Sequence, residues 1–228
     1  MPCWCSNGTM NCTGKDLTYF PDISNEKGIS IIHLSDNHLG KTLNVTTFAK
    51  LDAITHLDLS SNGITEIGPN YFLFMWRLAT LNLQNNHLTE IRNGSFLGLS
   101  TLTTLYLQGN KIRFLTQEAF VGLSSLKALD LSFQKLERIP RNAFSGMYSL
   151  HILNLSHNLI KQLEDGVFNH LEDLSILDIS NNQILTIEDK VFYGLSFQKL
   201  LTDEFRFCCL APKVSSCKPD PDEFSSCK

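Results

Sequence analysis

Phenylalanine recurs in this chain at Phe48, Phe72, Phe96, Phe120, Phe144, Phe168 and Phe192, each 24 residues after the last. Three residues past each Phe stands another apolar residue: Leu51, Met75, Leu99, Leu123, Met147, Leu171 and Leu195. A fixed period of this length marks a stacked repeat. One copy has too little apolar surface to bury by itself, but stacked on its neighbours it adds a slice to one continuous core. The repeat overrides the one or two globular domains that a length of 228 residues would otherwise suggest.

Ahead of each Phe runs L-x-x-L-x-L-x-x-N-x-L, cleanest at Leu102, Leu105, Leu107, Asn110 and Ile112. This pattern resembles the leucine-rich repeat. It implies an α/β leucine-rich-repeat solenoid, with a curved parallel sheet on the concave side and loops or short 3-10 or helical turns on the convex side. Repeats open at Ile29, Ile54, Leu78, Leu102, Leu126, Leu150 and Leu174, and the first carries one extra residue before Leu43. The chain divides into an N-terminal cysteine-rich cap (1–28), seven repeats (29–197), and an incomplete eighth repeat with a cysteine-rich end (198–228), where Leu201 is expected to face inward. In each strand the leucines turn into the core and the residue between them faces out. Eight or nine strands about 4.8 Å apart predict a concave sheet ~40 Å long. The Asn after each strand turns the chain, and its buried amide needs backbone partners. Gln134 replaces it in the fifth repeat. Beside Gln134, Phe133 stands where other repeats carry Ser, Asp, Asn, Gly or His, as a tolerated slip or as a contact point.

The seven cysteines lie only at the ends: Cys3, Cys5 and Cys12, then Cys208, Cys209, Cys217 and Cys227. Cysteine clusters around a Cys-free solenoid predict disulfide-stapled caps and an oxidising, extracellular location; the competing reading of the first cluster is a zinc site. Met10, Cys12, Leu17 and Phe20 imitate the apolar positions of a repeat, with Cys12 inward. A net charge of −4 and a pI near 6.0 predict no basic face for nucleic acid. No apolar run approaches the ~20 residues of a membrane helix, and no signal peptide is visible at the start. A cysteine-rich, sequon-bearing chain of this kind is expected to be a piece of a longer protein.

Of seven histidines, His33 and His56 lie near Asp58 on adjacent strands, but an open sheet predicts surface histidines rather than a metal site. No catalytic motif stands out from the repeat; neither enzyme activity nor a cofactor is expected. Five N-x-S/T sequons occur at Asn7, Asn11, Asn44, Asn93 and Asn154. Asn44 and Asn93 fall on loops away from the sheet, Asn11 adjoins Cys12, and Asn154 points onto the concave face, where a glycan would occlude part of the groove.

The most specific stretch is Phe205-Arg206-Phe207-Cys208-Cys209-Leu210-Ala211-Pro212, then Cys217-Lys218-Pro219 and Asp222-Glu223-Phe224-Ser225-Ser226-Cys227. It resembles the hinge of leucine-rich-repeat G-protein-coupled receptors, and the short gap to Cys217 is most similar to the relaxin-receptor-like branch. The Cys-x-Cys of Cys3 and Cys5 followed by Cys12 resembles the N-terminal flank of extracellular leucine-rich proteins. From the resemblance follow the pairs Cys3–Cys12, Cys208–Cys217 and Cys209–Cys227, the last two with a swapped alternative, and Cys5 is left over. It also implies a seven-helix membrane domain in a parent protein and a peptide or protein hormone, relaxin-like, as ligand. The rival is a secreted or surface adhesion or innate-recognition module, which predicts a different C-terminal cap.

The ligand is expected on the concave face, along the outward row His33, Asp58, Asn82, Tyr106, Asp130, Asn154 and Asp178. Three carboxylates and a tyrosine suit a basic ligand with an apolar anchor, and Arg–carboxylate contacts are about twice as strong as neutral hydrogen bonds. The acids lie ~10–14 Å apart, so the ligand needs several separated basic residues. Asp130 is expected to matter most, because Tyr106 and Phe133 nearby can bury the anchor.

Overall fold

A computed structural model describes residues 3–23, 28–40, 43–196, 198–211 and 214–218. The L-x-L segments form short strands that pair in parallel, one per repeat: Ile31–His33, His56–Asp58, Thr80–Asn82, Thr104–Tyr106, Ala128–Asp130, Ile152–Asn154 and Ile176–Asp178. The sheet is longer than the repeats alone predict, because both caps join it. At the N-terminal end Thr9–Asn11 pairs in parallel with Ile31–His33, and Trp4–Ser6 folds back antiparallel on it. At the other end Lys199–Leu201 and Ser216–Lys218 extend the sheet to eleven strands. Ten strand spacings give a length of ~48 Å.

The eighth strand corrects one expectation. Leu200, not Leu201, is fully buried, and it pairs in register with Leu177 and Cys217. Leu201 instead continues the outward row after Asp178. Between Asp178 and Leu201 the spacing is 23 residues rather than 24, and a shift of one residue turns a strand's side chains over.

The core is a single column. All seven repeat phenylalanines are buried to within 1%. From Phe96 through Phe120, Phe144 and Phe168 to Phe192 the rings lie nearly parallel, 5.7–6.3 Å between centroids, the offset geometry aromatic pairs prefer. Phe20 of the N-terminal cap meets Phe48 edge-on at 5.7 Å, so the cap is packed as a pseudo-repeat. The glycine two residues after Phe96 and Phe120 has a steric reason. A Cβ on Gly98 would lie 2.4 Å from the Phe72 carbonyl oxygen, and one on Gly122 2.6 Å from that of Phe96.

The asparagines form a second ladder. Asn86 accepts from the N–H groups of Asn62 and Ile64 and donates to the carbonyls of Leu59, Leu83 and Gln84. Asn110, Asn158 and Asn182 repeat the pattern. Gln134 keeps the ladder whole, because its longer side chain still reaches Leu107 O at 3.0 Å and the Ile112 N–H at 3.1 Å. The substitution of Asn by Gln is therefore a tolerated one.

The convex side is mostly turns. One four-residue helix, Val45–Phe48, is capped by Asn44. Two small parallel ladders join Glu90–Ile91 to Phe114–Leu115, and Gln162–Leu163 to Thr186–Ile187. They extend through Thr116 N–H to Ile91 O and Glu188 N–H to Leu163 O. In the repeat between them that position is Pro140, which has no N–H to give, and the ladder breaks there.

Cys3 is bonded to Cys12, and Cys208 to Cys217; Cys5 carries an exposed thiol. Cys209 is disulfide-bonded as well, while Cys227 lies outside the described residues. The Cys208–Cys217 bridge ties the short helix Phe205–Leu210 to the last strand, and Cys217 points into the core. Peptide mapping of oxidised protein is expected to recover a Cys208–Cys217 pair. Replacing both by serine should cost about 2–5 kcal/mol, as removal of a native disulfide from a small domain does. A Cys208 found bonded elsewhere would contradict this assignment.

Candidate ligand-binding face

Pairing register fixes which side chains share the concave face. His33, Asp58, Asn82, Tyr106, Asp130, Asn154 and Asp178 lie side by side across seven consecutive strands. A second outward row runs Ile31, His56, Thr80, Thr104, Ala128, Ile152 and Ile176. His33 and Asp58 are register neighbours, whereas His56 belongs to the second row. Among the described residues no three His, Cys, Asp or Glu side chains gather to hold a metal.

The acidic row has a structural job that the sequence pattern concealed. Asp58 Oδ1 accepts from the backbone N–H and hydroxyl of Ser60, and Asp178 Oδ1 does the same with Ser180. Asp130 Oδ1 accepts from Ser132 N–H, and its Oδ2 from the Gln108 amide. Asn82 and Asn154 make the equivalent bond to Gln84 and Ser156. Each short side chain thus closes an Asx turn where its strand ends. An Asn oxygen does this as well as an Asp oxygen, so the turn does not explain why three of the five are charged. The second oxygen of Asp58 and of Asp178 takes no hydrogen bond among the described residues, and both side chains are half-buried. The signal that would have exposed this role is the recurring D/N-x-S.

Tyr106 interrupts the row with a large ring, 38% exposed. Phe133 does not lie on the row. It sits three residues beyond Asp130, at the rim where the strand turns out, and its ring stacks on His157 with centroids 4.2 Å apart. Asp58, Tyr106, Asp130 and Asp178 thus share one row, while Phe133 flanks it.

Asn7 and Asn93 fall on exposed turns and Asn44 at the start of the short helix, whereas Asn11 ends the strand Thr9–Asn11 in register with His33, and Asn154 lies within the row. The Asn154 side-chain oxygen is held by Ser156 N–H and Oγ–H. Its place in the row is between Asp130 and Asp178. A cleft of about 650 Å³ lies elsewhere, between the N-terminal cap and the first repeat, lined by Phe20, Ile23, Thr47, Lys50 and Leu51 among others. The concave face is an open surface, suited to a large partner rather than an enclosed small molecule.

The eleven-strand solenoid and its asparagine and phenylalanine ladders define a solenoid repeat protein. Leucine-rich-repeat sequence models match residues 76–136, 124–184 and 149–201, and a second such model matches 53–75. The chain belongs to the leucine-rich-repeat family. Over 75 residues, 33% of the chain, it is 42% identical to the G-protein coupled receptor GRL101 of Lymnaea stagnalis, of which it spans 7%. Among solved structures it is similar to the crystal structure of the TLR13–ssRNA13 complex, with a TM-score of 0.76 and 26% identity. That likeness covers 87% of this chain and 30% of the other.

Proposed function

We propose that this chain is part of the extracellular ligand-binding region of a leucine-rich-repeat G-protein-coupled receptor, in the relaxin-receptor-like branch. It captures a peptide or protein hormone on the concave face and performs no catalysis. The observation that carries this reading is the continuity of the sheet. The strand Ser216–Lys218, stapled by Cys208–Cys217, belongs to the same hydrogen-bonded sheet as the row from His33 to Asp178. A ligand that presses on the row therefore acts on an element continuous with the hinge. The partial likeness to the G-protein coupled receptor GRL101 supports the receptor part of this reading. The innate-recognition alternative draws on the structural likeness to TLR13. A net charge of −4 makes a nucleic-acid ligand a poor fit for this surface.

The Asx turns determine how the proposal must be tested. Alanine at Asp58, Asp130 or Asp178 would remove the turn bond together with the charge, whereas asparagine keeps the turn bond and removes the charge, and at Asp130 also replaces the oxygen that accepts from Gln108. Hydrogen bonds to charged groups are worth ~1.5–3 kcal/mol. Asp58→Asn, Asp130→Asn and Asp178→Asn are therefore each expected to weaken binding of a cationic relaxin-class peptide by roughly tenfold or more, with Asp130→Asn the largest. Surface plasmon resonance on secreted protein reads this directly. Unchanged affinity in all three variants would move the site off the concave face.

A further inference from the structure

Two of the seven histidines lie on the outward rows of the sheet, and both stand beside Asp58. His33 is its register partner on the preceding strand. His56 comes two residues before it on the same face, with Leu57 turned into the core between them. Parallel strands lie about 4.8 Å apart, and two residues along a strand cover ~6.6 Å. The three side chains therefore start from the corners of one triangle. Its two sides that meet at Asp58 are shorter than the ~8 Å over which charges act on one another at physiological ionic strength. The other acids of the row have no such neighbours: the corresponding places are Tyr106 and Ala128 at Asp130, and Asn154 and Ile176 at Asp178.

Histidine is the side chain whose charge changes between pH 5 and 8. Protonation of both rings turns the sum for these three side chains from one negative charge to one positive charge. The protonated His56 ring finds a partner already in place. Its Nδ1 lies 2.9 Å from the Thr55 hydroxyl, which accepts from Nδ1–H and donates its own hydrogen to Ser30 O at 3.1 Å. The strands on either side add no charge: Thr9 and Asn11 stand next to Ile31 and His33, and Thr80 and Asn82 next to His56 and Asp58. Asp36 stands three residues past His33, on the exposed turn where the chain leaves the sheet.

We propose that His33 and His56 make the Asp58 end of the concave face an acid-release switch. A basic side chain of the ligand is held at Asp58 near neutral pH and is expelled when the two rings take up protons. This rests on the reading of the concave face as the ligand-binding surface and adds how the ligand leaves it. The sign follows from competition: the ligand's cation and the two imidazolium rings neutralise the same carboxylate, so each opposes the other by the same factor. Binding is full at neutral pH and weakens as the pH falls toward 5. Asp130 and Asp178, with no histidine beside them in either row, keep their share of the affinity, so acid loosens the ligand in steps from the N-terminal end.

The probe is a rhodamine-labelled peptide, Arg-Gly-Gly-Gly-Arg-Gly-Gly-Arg, followed by fluorescence anisotropy. At about 3.4 Å per extended residue its arginines match the three-strand and two-strand gaps between Asp58, Asp130 and Asp178. Wild-type protein is expected to bind it at pH 7.4 and to lose about tenfold in affinity at pH 5.5. The double variant His33→Asn/His56→Thr installs the residue types that Asn82 and Thr80 already place in the two rows. It should bind within about threefold of wild type at pH 7.4 and lose less than about threefold on acidification. Equal losses in the two proteins would overturn the switch, and they leave the concave-face reading in place where Asp130→Asn still lowers affinity at pH 7.4. Absence of binding to either protein at pH 7.4 would overturn the concave-face reading and the switch with it.

Discussion

Phe120→Ala is expected to destabilise the solenoid by about 3–5 kcal/mol, the range for removing a buried aromatic ring. The site cannot collapse to fill the gap, because Phe120 lies in the middle of the column. It stacks on Phe96 at 5.9 Å and on Phe144 at 5.7 Å. In a solenoid, stability is approximately a sum of repeat terms and nearest-neighbour interfaces. Loss of one ring thus weakens two interfaces at once. The effect should appear in urea unfolding as a transition split into an N-terminal and a C-terminal phase, since a weakened internal interface uncouples the halves. Phe120→Leu keeps most of the volume and should cost less than half as much. A loss below 1 kcal/mol for the alanine variant would show that the ring column is not the main vertical tie.

Asn86→Ala is the second large effect, expected at ~3–5 kcal/mol despite a much smaller loss of apolar surface. Asn86 is 1% exposed and joins two consecutive repeats through five hydrogen bonds. Truncation leaves the N–H groups of Asn62 and Ile64 and the carbonyl of Leu59 buried without this partner, while Leu83 O keeps the Asn110 amide; each unsatisfied group costs ~1–3 kcal/mol where no water or shifted turn replaces the partner. Hydrogen exchange should accelerate first at the amides of Asn62 and Ile64. Asn86→Gln is the informative control, because Gln134 already serves this position in the fifth repeat with bonds to Leu107 O and Ile112 N–H. The Gln variant should retain more than half of the lost stability. If both variants are equally damaged, the ladder tolerates Gln only in the local backbone around Phe133.

The candidate site was legible in part. Alternation along each L-x-L segment names the row from His33 to Asp178, and the pairing register reproduces that row without a slip. What the alternation does not reveal is the use each residue is put to. Asp58 and Asp178 read as free surface charges in the sequence, yet each spends one oxygen closing its own turn. Phe133 reads as an odd residue beside Gln134, and only the left-handed φ of its whole row shows why Phe is out of place there.

The sequence by itself determined the buried phenylalanine column and the faces of the seven repeat strands. A strict 24-residue period leaves each repeat a single way to bury its apolar positions. Tertiary structure decided how that regularity ends. The 23-residue step from Asp178 to Leu201 puts Leu200 into the core, because the last strand must align Leu200 with Leu177 on one side and Cys217 on the other. Ser216–Lys218 likewise becomes a strand although no repeat motif marks it: the edge of Lys199–Leu201 offers unpaired backbone groups, and the Cys208–Cys217 bridge brings the segment to them. Local pattern fixes a repeat that contacts only its own copies. Where the copies stop, the chain's course is set by whichever distant backbone can satisfy the open edge.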